Sequence, residues 1–466
     1  MLPQDILPLD AARSIALLAN PDVHSARARL EAAGARIEEA QSRYYPTITF
    51  NHTSARTFQT PVTRNRLATL LQPTAAVPVD AGPQTFVLTA LLDAIRRPLF
   101  SGASGSSNPF SEHTSSLTAT WTLFDGFIRE AQVLSTKYVH AASKLSQRDV
   151  ARLVVHAVDT AYFQAQLGEE QIRIARADQV FSEEQLSATQ KLMQAGHASQ
   201  ADVDNFRIRG IAARAAVTAS IGARDTARVV LAELLALDSG ELPSQLRLST
   251  LAEESASEMT APDPADCLET AMRDRPDLHQ LEKLVAASLQ DVRAAKGFYS
   301  PSVLLNGSWG YDRASNVHYS EDDQSSAGAL EVRWELFTGG AREARVRGAE
   351  AQHVGAAANL TRLRLKVQSD VRSAAISLRD AQEQITLHRE TLSTAIETRR
   401  IIQAAYVAGK ESLTRLNEAQ RDVITADANL ALARIRLRQA WSDLDAATAR
   451  RPEGEVSVDS SAAARP

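Results

Sequence analysis

Two stretches of this chain alternate apolar and polar residues with period two and then meet a glycine. They are WTLFDG, from Trp121 to Gly126, and WELFTG, from Trp334 to Gly339. The alternation predicts strands. Beyond each glycine the apolar spacing changes to three and four, which predicts a helix, and it holds for about 70 residues. In the first stretch Val150, Leu153, Val154, Ala157, Val158 and Ala161 keep one face apolar. In the second, Leu363, Val367, Val371, Ala374, Leu378, Ala381 and Ile385 form a coiled-coil seam. A helix of that length reaches roughly 105 Å, far more than a globular domain needs. Trp, Leu, Phe, Gly, Arg129/Arg342, Glu130/Glu343, Ala131/Ala344 and Val133/Val346 all recur, so the chain is an internal duplication.

The helices break at Gly196 (MQAGHAS) and Gly409 (YVAGKES), 213 residues apart, as are Trp121 and Trp334. Glycine followed by Ser199 or Ser412 predicts a helix end, a tight turn and a new N-cap. The returning helices run to about Leu237 and Ala446, the second with a seam at Leu416, Val423, Ala426, Leu430, Ala433, Leu437, Ala440 and Leu444. Upstream, Leu9 to Ala19 reads as a short helix. Asn20-Pro21-Asp22 restarts the chain as a helix that ends near Arg43, before Pro46. This unit recurs at an offset of 255: Pro21-Asp22-Val23-His24 against Pro276-Asp277-Leu278-His279, and Tyr45-Pro46 against Ser300-Pro301. A helix of about 40 residues and one of about 23 nearly equal the long helix, so two short helices stacked end to end can lie beside one unbroken one.

The remaining strands start after Pro46, where Ile48 and Phe50 are the apolar positions. They continue over Ser116 to Phe124, with Leu117, Ala119, Trp121 and Leu123 on one side. Val303, Leu305, Trp309 and Tyr311, then Leu330, Val332, Trp334 and Leu336, do the same in the second repeat. Aromatic residues toward the strand ends fit lipid outside and water inside; one hairpin alone fits a half-buried soluble sheet better, and two hairpins each fused to very long helices favour a barrel. The first hairpin carries about 42 extra residues, rich in Pro, Gly, Ser and Thr, with an apolar run Phe86 to Ile95 that reads as helix or strand. A Pro/Ser/Glu-rich connector follows Asp238, and a disordered tail follows Arg451. No run of 18 apolar residues is present, so no transmembrane helix is expected. Met1-Leu2-Pro3 lacks the regions of a signal peptide, which fits a cytosolic chain or one numbered after a leader.

Composition adds exclusions. A net charge of −5 with scattered Lys and Arg argues against nucleic acid as a partner. Aromatics at 5% and long Ala/Arg/Gln/Glu/Leu stretches fit long helices. The single cysteine, Cys267, forms no internal disulfide. No HExxH, Walker A or strand-to-helix GxGxxG motif stands in the chain, and the histidines, His24 and His279 among them, lack ligand spacing. No catalytic residue, metal or cofactor is expected.

Four strands cannot close a barrel, and open edges are not tolerated in lipid, so closure must come from further copies; two, three or four would each give an even barrel. In this order and duplicated, Asn20-Pro21-Asp22 and Arg275-Pro276-Asp277, Tyr45-Pro46 and Ser300-Pro301, the WxLFxG junctions and the Gly-x-x-Ser turns resemble the TolC family of outer-membrane efflux proteins. The resemblance covers nearly the whole chain. It implies a mainly α fold with a membrane β-barrel: two tandem repeats of helix–strand–strand–long helix–helix, trimerising into a twelve-stranded barrel and an α-helical periplasmic tunnel.

On that basis residues 1–45 are the N-terminal helices, 46–125 a strand hairpin with a long extracellular loop, 126–237 a helical hairpin and 238–266 an equatorial connector. Residues 267–300, 301–338 and 339–448 repeat the helix, strand hairpin and helical hairpin, and 449–466 are the tail. The implied function is the outer-membrane exit duct of a tripartite efflux or type I secretion system in a Gram-negative cell. Its implied partners are outer-membrane lipid, a periplasmic adaptor and an inner-membrane pump of the RND, ABC or MFS class. The competing expectation is a non-membrane structural coiled-coil protein.

By the same resemblance Trp121, Phe124, Gly126, Trp334, Phe337 and Gly339 mark the barrel junctions. Gly196, Ser199, Gly409 and Ser412 mark the periplasmic tip where an adaptor docks, and Asp202, Asp204, Tyr406, Arg415 and Glu418 the entrance. Arg415 stands where the family usually has an acid. It either ties to Asp202 and holds the entrance shut, or is one of several solvated charges near a helix start.

Overall fold

The computed structural model describes residues 5–58, 110–196, 198–314 and 316–450. The run Phe86 to Ile95, the rest of the long first loop and the tail lie outside the described residues. The elements are β1 (Ile6–Leu7), α1 (Leu9–Ala19), α2 (Pro21–Ser42), β2 (Thr47–Thr57), β3 (Phe110–Phe124), α3 (Ile128–Gln194) and α4 (Gln200–Leu234), followed by β4 (Arg247–Leu248), α5 (Pro264–Asp274), α6 (Pro276–Gly297), β5 (Ser302–Ala314), β6 (Gln324–Arg333), α7 (Ala341–Val407) and α8 (Leu413–Thr448). Both long helices have 67 residues and start 213 residues apart. α1 and α5 have 11 residues, α2 and α6 have 22, and each of these pairs starts 255 residues apart.

The chain forms two compact units. One comprises Met1–Ile37, Leu134–Gln290 and Ala349–Pro466 and is almost wholly helical; the other comprises Glu38–Val133 and Asp291–Gly348 and holds the main sheet.

In the helical unit the α7 seam is buried as its spacing predicts: Val367, Val371, Leu378 and Ile385 pack with Ala433, Leu437, Ala440 and Leu444 of α8 and with Cys267 and Ala271 of α5. The first repeat departs in one place. Val154, Val158 and Ala161 are buried with Tyr162 and Leu231, but Leu153 is 49% exposed. It lies about a quarter turn from Val154, and the stripe is completed by Val155 and Tyr162 instead. Short helices do meet end to end. The Asn20 side chain accepts from the Asp22 N–H at 2.9 Å, capping α2, and donates to the Leu234 carbonyl at the end of α4, at 3.0 Å. At the equivalent place Arg275 grips Asp277 at 2.6 Å and donates to the Ala447 carbonyl of α8 at 3.3 Å. The connector is not loose: Leu248 of β4 pairs in parallel with Leu7 of β1, and the Tyr162 hydroxyl donates to the Leu7 carbonyl at 2.7 Å.

The second unit is built on an antiparallel sheet of order β2-β3-β5-β6. Phe50 faces Leu117 and Leu117 faces Trp309; Trp121 faces Leu305 and Leu305 faces Leu330. Opposed residues share a face, so the apolar set predicted from four separate stretches lies on one side of the sheet. Thr49, Thr118 and Ser308 form a row on the other side. β6 stops at Arg333, so Trp334 and Leu336, expected in the strand, lie beyond it. The reason is where the neighbour begins: β5 starts at Ser302, which faces Arg333, whereas β3 keeps β5 alongside it to Phe124.

Candidate functional site

At the end of β3 the Trp121 indole N–H donates to the Tyr44 carbonyl at 2.8 Å, and Trp334 makes the same bond to Tyr299 at 3.2 Å. Two arginines complete these junctions. Arg129 donates to the carbonyls of Thr122 (2.6 Å), Leu123 (3.1 Å) and Arg43 (3.2 Å), and its guanidinium lies 5.0 Å from the centre of the Tyr44 ring. Arg342 donates to Glu335 (2.7 Å) and Leu336 (3.2 Å) and lies 5.0 Å from the Tyr299 ring. The carbonyls that a strand end leaves unpaired are thus taken up by a planar, multi-donor side chain. Recurrence of Arg129 and Arg342 in the sequence carried this information, but as a match and without a role. Gly126, at φ +72°, is needed sterically: a Cβ there would overlap the Gly297 carbonyl oxygen and sit 2.6 Å from Ser300 Cβ. Gly339 has φ +62° and no such neighbour within 4 Å. The Phe124 ring packs edge-on against Phe127 at 5.5 Å, while Phe337 is exposed.

The two helical turns are near copies. Gly196 (φ +76°) and Gly409 (φ +68°) end α3 and α7 in the left-handed region, where only glycine is unstrained. Ser199 and Ser412 are the N-caps of α4 and α8. In the first turn the Asp202 carboxylate accepts from the Ser199 N–H (3.0 Å) and hydroxyl (2.8 Å), closing a capping box. In the second, Arg415 stands at that position and only the serine's half is made, at 3.3 Å.

Of the predicted entrance residues, Asp204 accepts from Gln200 and Arg207 on its own helix. Arg415 and Glu418 are exposed, and among the described residues no ion pair joins Asp202 to Arg415. Tyr406 packs against a small apolar cluster of Phe181, Phe206 and Leu416.

Polar ties join the two hairpins just above these turns. Asn417 donates to Asn205 at 3.2 Å, and Arg209 reaches the Asn417 carbonyl at 3.4 Å. Gln420 donates to Asp178 at 3.3 Å and accepts from Arg399 at 3.2 Å; farther along, Arg173 pairs with Asp427 at 3.0 Å. Asn417 and Gln420 are buried polar residues flanking seam positions, a disturbance of the heptad visible in the sequence but without a visible partner.

The family model described as outer membrane efflux protein matches residues 12–237 and 267–450. The chain belongs to the outer membrane efflux protein family. Its place is the cell outer membrane, with the helical part in the periplasm. Protein CyaE of Bordetella pertussis is 24% identical over 91% of this chain and 80% of its own length. Nodulation protein T of Rhizobium leguminosarum bv. viciae is 27% identical over 68% of this chain, which spans 65% of that protein. The solved outer-membrane channel OprN has the same fold, with a TM-score of 0.75 at 20% identity over 94% of this chain and 89% of that one. Membership overturns the alternative of a non-membrane coiled-coil protein, and the solved neighbours are channels rather than enzymes. No helix among the described residues is long and apolar enough to cross a membrane.

In the helical unit this family member also carries a charged cavity of about 680 Å³. Arg13 holds Asp159 through two bonds, at 2.6 and 2.7 Å, and the Ser442 hydroxyl donates to the same carboxylate at 2.9 Å. Asp445 lines the cavity beside them. Burial pushes its carboxyl up to about 6; Arg450 and Arg13 pull it back, and Asp159 adds to the rise. On the connector, burial alone would raise the Glu254 carboxyl. Hydrogen bonds from its own backbone and Arg434, with the charges of Arg434 and Arg389, outweigh burial and hold it below the usual range. Among the described residues no group of three or more His, Cys, Asp or Glu is placed to hold a metal ion.

Proposed function

We propose that three copies of this chain close a twelve-stranded barrel in the outer membrane, with their helices forming a tunnel below it. The assembly is the exit duct of a tripartite efflux or type I secretion system. The sheet carries this reading: four antiparallel strands, one apolar face, and no strand bonded to the outer edge of β2 or β6 among the described residues. In hydrocarbon every backbone donor needs a partner, so these edges call for further copies. Each chain supplies two long helices and two stacked pairs of shorter ones. Three chains therefore match twelve strands with twelve helical columns.

The tip is the adaptor's docking place in this reading, with Gly196, Ser199, Gly409 and Ser412 forming the turns that the adaptor meets. Asp202, Asp204, Tyr406, Arg415 and Glu418 surround the entrance, where Asp202 and Arg415 tie across the assembled ring. An inner-membrane pump of the RND, ABC or MFS class loads the cargo. Opening requires the polar ties between the hairpins to give way while the apolar seam of α7 and α8 holds.

The test is the mass and conductance of the purified chain. A detergent-dependent threefold mass and discrete channels in a planar bilayer support the reading. A monomer stable without detergent and silent in bilayers refutes it.

A further inference from the structure

The two strand hairpins differ in length but share a register. Thr47 faces Thr120 in the first and Ser302 faces Arg333 in the second; moved by the offsets 255 and 213, the first pair becomes the second. The junction between the repeats is recorded as well, since β3 pairs with β5 and Thr120 faces Asn306. Carried over by the same offsets, β3 becomes β6 and β5 becomes β2. From this we infer the strand register between neighbouring copies: Arg333 faces Asn51 of the next copy, Glu331 faces its Thr53, and Leu330 faces its Ser54.

Two independent features agree with this register. First, Leu330 and Val332 share the apolar face of the sheet with Ile48 and Phe50, and the inferred pairs keep even residues opposite even residues, so that face stays on the same side from copy to copy. A slip of one residue would turn it over. Second, Trp334 falls opposite Phe50 of the next copy and Glu335 opposite its Thr49. A partner strand therefore waits for the residues that follow Arg333. Its lateral bonds extend β6 toward Phe337, the counterpart of the Phe124 at which β3 ends. The interface is completed by backbone hydrogen bonds, with Leu330, Val332 and Trp334 beside Ser54, His52 and Phe50 outside and rows rich in Thr, Glu and Asn inside.

This inference rests on the proposed closed ring, and the experiment separates the two. In a C267S background, Glu331→Cys is combined with Thr53→Cys, Asn51→Cys or Ala55→Cys, and each double variant is oxidised in detergent after its native mass is measured. Directly opposed Cβ atoms lie about 4.5–5.5 Å apart and two-residue diagonals about 7–8 Å, so only the opposed pair suits a disulfide. E331C/T53C is expected to give covalent dimers and trimers at least about fivefold faster than the other two. Faster linkage by E331C/N51C or E331C/A55C, or equal rates for all three, in protein of trimeric mass overturns the register and leaves the ring standing. Linkage within a single chain also overturns it, because β2 and β6 are opposite edges of one sheet. A monomeric mass for all three and for the C267S parent overturns the ring itself, and the register with it.

Discussion

The indole N–H of Trp121 is bonded to the carbonyl of Tyr44 at 2.8 Å, tying the last residues of β3 to the chain that leaves α2. Removing the donor leaves that carbonyl without its partner. Trp121→Phe is expected to cost about 1 kcal/mol, read as a lower thermal midpoint in detergent. Trp334→Phe, which breaks a 3.2 Å bond, is expected to cost less.

Gly126 and Gly339 occupy matching positions with different surroundings. Gly126→Ala must displace the backbone at Gly297 and is expected to cost more than about 3 kcal/mol, abolishing the yield of folded protein. In the folding of a single chain Gly339→Ala carries only the strain of a positive φ, about 1 kcal/mol. Folded yield and midpoint from parallel preparations separate the two.

The caps differ by one side chain. Ser199→Ala removes both bonds of the hydroxyl to Asp202 while the backbone half of the box stays, and Ser412→Ala removes a single bond, so the first is expected to cost about 1–2 kcal/mol and the second about 0.5–1 kcal/mol. Hydrogen exchange at the start of α4 and α8 measures each. Arg415→Glu supplies the acceptor missing from the second turn and is expected to slow exchange there.

Asp445 makes stability fall with rising pH. Its folded pKa of about 6 lies above the ordinary 3.8, so between these values the folded chain holds a proton that the unfolded chain has released. The stabilisation is full below pH 4 and lost as pH rises through 6. Asp445→Asn is expected to raise stability by up to about 3 kcal/mol at pH 8 and to change little at pH 4. Denaturant midpoints at the two pH values check the sign.

If the ties between hairpins hold the tunnel tip closed, Gln420→Ala with Arg173→Ala removes contacts to Asp178, Arg399 and Asp427. The part-buried Gln420 bonds and the exposed Arg173 pair contribute about 0.5–1 kcal/mol each, so the double change is expected to shift the closed-to-open ratio about tenfold. Single-channel recordings would show longer open times; unchanged conductance and gating would remove these residues from the gate.

The sequence by itself determined the repeat, the helix lengths, the apolar face of the four strands of the main sheet, the two glycine turns and their serine caps. Each of these depends on periodicity or on one residue's backbone preference, and such preferences act locally. The Asn20 cap and the α7 seam were legible for the same reason. Tertiary structure decided what depends on a partner distant in the chain. Leu153 fits the helical spacing but lies outside the stripe that α3 buries, and β6 ends at Arg333 because β5, its bonded neighbour, begins at the facing Ser302. Arg129 finds the Arg43 carbonyl, and Asn417 and Gln420 their partners on α4 and α3, only once distant helices are packed. A hydrogen bond between residues 212 or 242 positions apart leaves no trace in local spacing, because its geometry is set by how whole helices pack.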